Sequence, residues 1–198
     1  MALNFCNNNS LSAITTIPAS ISGGGLNLIS TQTASGNANI SITSGIDSTY
    51  KEYIIKCIGV HLATNDARFD VNFSSDGGSN YNVTKTTTAF RSTHNESGTG
   101  GALGYETGQD LAQSTGVQSL CNCNNGDDDN ICVTIHLFDP SNTTFVKHFI
   151  ATVNTNRDAA QQQYIAGYCN TTSAIDAVQF GTSSGNIDAG TFKLYGVS

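Results

Sequence analysis

The stretch His136-Leu137-Phe138-Asp139-Pro140-Ser141-Asn142-Thr143-Thr144-Phe145-Val146-Lys147-His148-Phe149 decides the fold class. An apolar run ends at Phe138, a second begins at Phe145, and the residues between them are turn formers. Pro presets one backbone angle, while the Asp and Asn side chains hydrogen-bond to the chain just ahead of them. Strand, turn, strand is the reading, and it predicts a hairpin. The same rhythm returns twice, in the segments 166–180 and 184–197, each apolar run closed by Asn, Asp, Gly or Ser. Short strands at regular spacing with turn signals between them are the mark of a β-sandwich or barrel.

Working outward, the chain predicts strands over 26–31, 38–43, 50–62, 68–73, 83–93, 131–138, 145–153, 163–169, 175–180 and 191–197. The segment 50–62 is the longest and most apolar and reads as a central strand. Phe69, Val71 and Phe73 alternate with Arg68, Asp70 and Asn72, so the first set points inward and the second outward. Ile131, Val133, Ile135 and Leu137 form one face in the same way. About ten strands of this kind predict an all-β, antiparallel, two-sheet sandwich that is jelly-roll-like. Two stretches break the pattern and read as surface excursions: 97–116, rich in glycine, and 120–130, which holds Cys121, Cys123 and the acidic run.

Residues 1–25 differ from the rest. They mix Asn, Ser and Thr with isolated aliphatics, carry Pro18 and end in Gly23-Gly24-Gly25. That composition predicts an extended N-terminal arm with a hinge, followed by a sandwich domain over 26–198. Leu11, Ile14, Ile17 and Ile21 recur at helix-like spacing, which keeps a short helix as the alternative, although Thr15, Thr16 and Pro18 suit a helix poorly. These four residues are the candidates for docking the arm.

The chain has 198 residues, of which 12% are charged, about half the usual share, with a formal net charge of −7. Eight Lys and Arg scattered through it form no basic patch, so nucleic acid is not an expected partner. No window is apolar enough to cross a membrane, and the N-terminus lacks the cationic and apolar regions of a signal peptide. Synthesis in a cytoplasm is the expectation. The six cysteines match no zinc spacing, and Cys57, Cys132 and Cys169 fall in expected strands, where a thiol acts as a small apolar group. A disulfide formed after release from a reducing cell stays open on sequence grounds.

Asp127-Asp128-Asp129 is the best candidate for a cation, because clustered carboxylates in a turn offer oxygen ligands. The alternating spacing of a calcium loop is absent, and a solvated acidic turn is the favoured reading. His136 and His148 lie on strands that the hairpin would pair, which raises a cross-strand histidine pair. No Gly-x-Ser-x-Gly motif occurs, and Glu52, Glu96 and Glu106 are the only glutamates, so neither a nucleophile elbow nor a glycosidase pair is legible. The chain has no Trp, which leaves Tyr81 and Tyr105, beside glycine-rich loops, as the aromatic candidates for contacting a ligand. No enzyme activity, cofactor or metal is expected.

Several motifs resemble, in order, a family of structural proteins from tailed phages, especially those of cyanobacteria and other aquatic bacteria. They are the segments 28–35, 44–50, 76–82 and 110–113, together with the three C-terminal runs above. The resemblance covers the chain from about residue 26 to its end. It implies a component on the exterior of the virion with a jelly-roll-like domain and no known enzymatic activity. The Cys121-Asn122-Cys123 segment and the turn at Asp158 depart from the pattern.

Two roles follow from the resemblance. The first is a decoration or cement protein of the head, its arm lying on a neighbouring subunit or on the major capsid protein. The second is a receptor-binding module of a tail or head fibre, whose loops 92–108 and 120–130 contact a glycan or protein of the host surface. The absence of a shaft or repeat favours the first. Low surface charge and an uncovered final strand predict self-association. A closed trimer is the expected form, after the habit of phage decoration and fibre proteins.

Overall fold

The computed structural model describes residues 25–198. Twelve strands build it: β1 Leu26–Ala34, β2 Asn39–Ile42, β3 Glu52–Leu62, β4 Ala67–Ser74, β5 Lys85–Asn95, β6 Gly101–Tyr105, β7 Gln118–Cys123, β8 Ile131–Phe138, β9 Lys147–Asn156, β10 Ala159–Cys169, β11 Ala177–Thr182 and β12 Ile187–Val197. They form two antiparallel sheets. The larger has eight strands in the order β1-β12-β3-β8-β9-β10-β5-β6, and the smaller has four in the order β2-β11-β4-β7.

Two hairpins, β5–β6 and β9–β10, are additions to a simpler plan. Without them the larger sheet reads β1-β12-β3-β8 and the smaller β2-β11-β4-β7. Among those eight strands every connection crosses between the sheets except β4 to β7. That is the strand order of a jelly roll. The added hairpins join each other through β10 and β5, in register from Ala159↔Asn95 to Cys169↔Lys85, and double the width of the larger sheet.

The core lies between the sheets. Phe69 and Phe180 of the smaller sheet stack at 5.7 Å, and Phe192 of the larger packs on Phe180 at 5.3 Å. Farther along, Phe73 meets Phe149 of β9 at 5.0 Å, so the added hairpin shares the same core. Tyr53, Ile55, Leu62, Ile131, Ile135 and Leu137 are all fully buried. The alternation read in 131–138 is therefore the true one, and β3 is central as expected.

Four expectations need correction. The segments read as surface excursions contain β6 and the last four residues of β7, and β7 closes the smaller sheet with Leu120, Cys121 and Cys123 buried. Asp70 and Asn72, expected to face solvent, are covered. Asn72 Nδ2 donates to the Tyr81 and Thr115 carbonyls at 2.6 and 3.3 Å, and Arg68 pairs with Asp70 at 3.0 Å. Cys132, unlike Cys57 and Cys169, is exposed, because it alternates with the inward Ile131 and Val133. Finally, β12 is no edge: it pairs with β1 on one side and β3 on the other. The free edges of the larger sheet are β1 and β6. At Gly190, with φ of 135°, a β-carbon would sit 3.0 Å from the Val60 backbone, and the register between β12 and β3 shifts on both sides of Ala189.

Candidate functional site

The added hairpins create a surface that a bare jelly roll lacks. Along β10 the side chains facing away from the core are Tyr164, Ala166 and Tyr168, alternating with the buried Ile165 and Cys169. Register carries this face across the sheet. One row runs Ile54, His136, Ile150, Ala166, Thr88, each residue directly opposite the next. On one side of it lie Phe138 and the row His148, Tyr168, Thr86. On the other lie Thr152, Tyr164, Phe90 and Tyr105.

Because Ala166 is small and its flanking rows are aromatic, the middle row is the floor of a trough. A cavity of about 410 Å³ opens between Phe138, His148, Tyr168, Ile150, Ala166 and Thr88. A second of about 180 Å³ shares Ile150, Ala166 and Thr88 and continues to Phe90 and Tyr164. No carboxylate or ammonium group lines either one. Phe90 and Tyr164 stack at 4.9 Å, and His148 packs against Tyr168 at 6.0 Å. The surface stays apolar toward the edge, where Leu103 is 75% exposed and Tyr105 61%.

The candidate residues fall in separate places. Tyr105 sits on β6 beside this surface, its hydroxyl 3.4 Å from Thr88 Oγ1. Tyr81 does not join it. It is half-buried in the β4–β5 connection against Gly78, and its hydroxyl is covered with no partner among the described residues. Asp127, Asp128 and Asp129 form the β7–β8 turn, where Gly126 N donates to Asp129 Oδ2 at 3.1 Å and Asn156 Nδ2 to the Asp128 carbonyl at 2.6 Å. Among the described residues no three His, Cys, Asp or Glu side chains are grouped to hold a metal ion. Leu11, Ile14, Ile17 and Ile21 lie outside the described residues.

The histidines take individual partners. The β8–β9 hairpin forms as read, but His136 stands opposite Ile150 rather than His148 and bonds Glu52 Oε1 through Nδ1 at 2.6 Å. His61 is held at both ring nitrogens, by Asp188 at 2.7 Å and the Gly126 carbonyl at 3.0 Å. Burial opposes its charge, but these two acceptors outweigh burial and raise its pKa. His61 therefore ties the acidic turn to β12.

A buried polar row escaped the sequence reading. Lys147, Cys169 and Lys85 are directly opposite one another at the ends of β9, β10 and β5, and all three are fully buried. Lys85 Nζ donates to Asn72 Oδ1 at 2.6 Å and to the Val83 carbonyl at 3.1 Å, while Lys147 Nζ donates to the Thr171 carbonyl at 3.0 Å. Burial pulls the Lys85 ammonium down to about 8 and pushes the Cys169 thiol up to about 12. A thiol held that high stays protonated and is a poor nucleophile.

The trough residues were legible in part. The run Tyr164-Ile165-Ala166-Gly167-Tyr168 is apolar on both faces, a pattern of strands covered on both sides. What no reading of one strand supplies is the neighbour: Ile150 and Thr88 lie 16 and 78 positions from Ala166 (166 − 150 and 166 − 88). Comparison of the chain with family models, characterised proteins and solved structures finds no match. No helix among the described residues is long and apolar enough to cross a membrane.

Proposed function

We propose that this chain is a non-enzymatic structural protein of a tailed-phage particle, carried on the outside of the head as a decoration or cement protein. The single observation that carries the reading is the uncharged aromatic trough on a sheet widened from four strands to eight. Contiguous apolar surface of this kind serves contact with other protein. The resemblance of the chain's motifs to phage structural proteins supports the setting, since fold alone assigns no function. The partners are the major capsid protein and further copies of the chain, made in the host cytoplasm and assembled on the particle. A closed trimer is the proposed assembly, with the free edges β1 and β6 as the available subunit contacts.

The test is reconstitution on particles that lack the protein. Full-length chain is expected to bind to saturation, and a chain without residues 1–25 to bind at least tenfold more weakly while keeping its melting temperature. Full occupancy by the truncated chain would remove the arm from the account. The second reading, a receptor-binding module on a fibre, is favoured by Tyr105 exposed beside Phe90 and Tyr164. Such tyrosines are adaptable contacts for a glycan or protein surface.

A further inference from the structure

We propose that the trough takes Phe145 of a second copy of the chain, the turn between β8 and β9 of one subunit docking on the widened sheet of the next. This builds on the trough as a protein-contact surface and on further copies as partners, and not on the particle that carries them.

Three observations single out this occupant. The first is display. Phe145 is 69% exposed, more than any other aromatic side chain among the described residues, so it does not fill the trough of its own chain. The turn that carries it is firmly held. Pro140 is buried, and its carbonyl accepts from Ile175 N at 2.9 Å. Asp139 N donates to the Lys51 carbonyl at 2.6 Å. Asn142 then fixes the tip: its Nδ2 donates to Asp139 Oδ2 at 2.8 Å, and its Oδ1 accepts from Thr144 N at 2.7 Å and from Phe145 N at 2.8 Å. A ring presented on a fixed turn loses little freedom when it docks.

The second is charge. Ser141 to Phe145 include no charged residue, and Asp139 at the base of the turn is paired with Lys51 Nζ at 2.9 Å. No carboxylate or ammonium group lines the trough. Docking the tip there buries no unpaired charge on either side.

The third is fit. The larger cavity, of about 410 Å³, has room for a phenyl ring over Ile150 and Ala166, between Phe138, His148 and Tyr168. Aromatic neighbours add to what burial alone contributes. A phenylalanine buries about 150–250 Å², whereas a stable interface buries about 1,200–2,000 Å². Phe145 is thus the anchor in its pocket, and the rest of the contact falls to the free edges β1 and β6. Knob and hole lie on different patches of one chain, so the contact is heterologous, the kind from which a closed trimer is built.

The experiment is photo-crosslinking of the full chain at high micromolar concentration, in an equal mixture of isotope-labelled and unlabelled protein. Phe145→p-benzoylphenylalanine is the probe and peptide mapping the readout. The expected result is crosslinks between labelled and unlabelled chains, mapping to the segments that hold Ile150, Ala166 or Thr88. Ala166→Arg, which fills the floor from an exposed position, should lower their yield at least tenfold. Thr88→Arg serves if that variant fails to fold. Phe145→Ser should weaken association in light scattering by roughly tenfold or more, the affinity that a buried phenylalanine supplies. Crosslinks confined to one chain or to other segments, no crosslink, a yield indifferent to both arginine substitutions, or association unchanged by Phe145→Ser would overturn the proposal. Crosslinks as expected from a protein missing on phage particles would sustain this contact and refute the phage setting alone.

Discussion

Lys85 shows how one buried residue sets a pH response. Its folded value of about 8 lies below the ordinary 10.5 because burial disfavours the charge. The unfolded chain therefore binds more protons between those two values, and stability rises with pH across that window and is lowest below it. The full effect is at most about 3 kcal/mol. Lys85→Met, which leaves the Asn72 bonds to the Tyr81 and Thr115 carbonyls in place, should be more stable than the parent at pH 7. The gap should shrink to less than half by pH 10 in thermal melts of the pair. A gap that is the same at both pH values would refute the assignment. His61 has the opposite sign. Its raised value means that its contribution is complete below about 6.5 and lost as pH climbs through the folded value. The protection factors of the amides over Asp127 to Asn130, taken relative to the base-catalysed intrinsic rate at each pH, should fall between pH 6 and 8 in the parent. In His61→Ala they should be low at both, and unchanged protection in the parent would disprove the latch.

At the scale of elements, the strands most easily read were those whose two faces differ. β8 begins and ends where its alternation does, at Ile131 and Phe138. β7 was missed because Gln118-Ser119-Leu120-Cys121-Asn122-Cys123 has no β-branched or aromatic residue, and Gln118, Ser119 and Leu120 are all covered, so no alternation survives. Of its buried polar side chains, Gln118 donates through Nε2 to the Gln109 carbonyl at 3.0 Å, whereas Gln118 Oε1 and Ser119 Oγ are covered with no partner among the described residues. Leu120→Ala should nonetheless cost about 2–5 kcal/mol in denaturant melts, as for any core leucine. A loss under about 0.5 kcal/mol would mean that the segment is the surface loop it resembles. β6 was missed because Gly101 and Gly104 dilute its signal, and its place beside β5 depends on pairing that one segment cannot reveal. It is also the edge that β12 was expected to be. Uncharged and fully exposed, it invites pairing with another chain. Leu103→Lys should therefore reduce self-association in light scattering at high micromolar concentration while leaving thermal stability within about 0.5 kcal/mol. Unaltered association would move the contact to another surface.

For the molecule as a whole, sequence reading reached the jelly-roll class because strand count and turn spacing are local properties. It did not reach the trough, because that depends on β9, β10 and β5 lying side by side, a consequence of two inserted hairpins meeting. Nor did any single residue announce it: Ala166 matters only because Ile150 and Thr88 flank it between aromatic rows. The proposed function places this widened sheet on a protein that coats a phage head. Cryo-electron microscopy of purified particles tests it most directly. The account predicts density of the jelly-roll domain in hundreds of copies across the shell. Density confined to a few copies at the tail, or none on the particle, would contradict it.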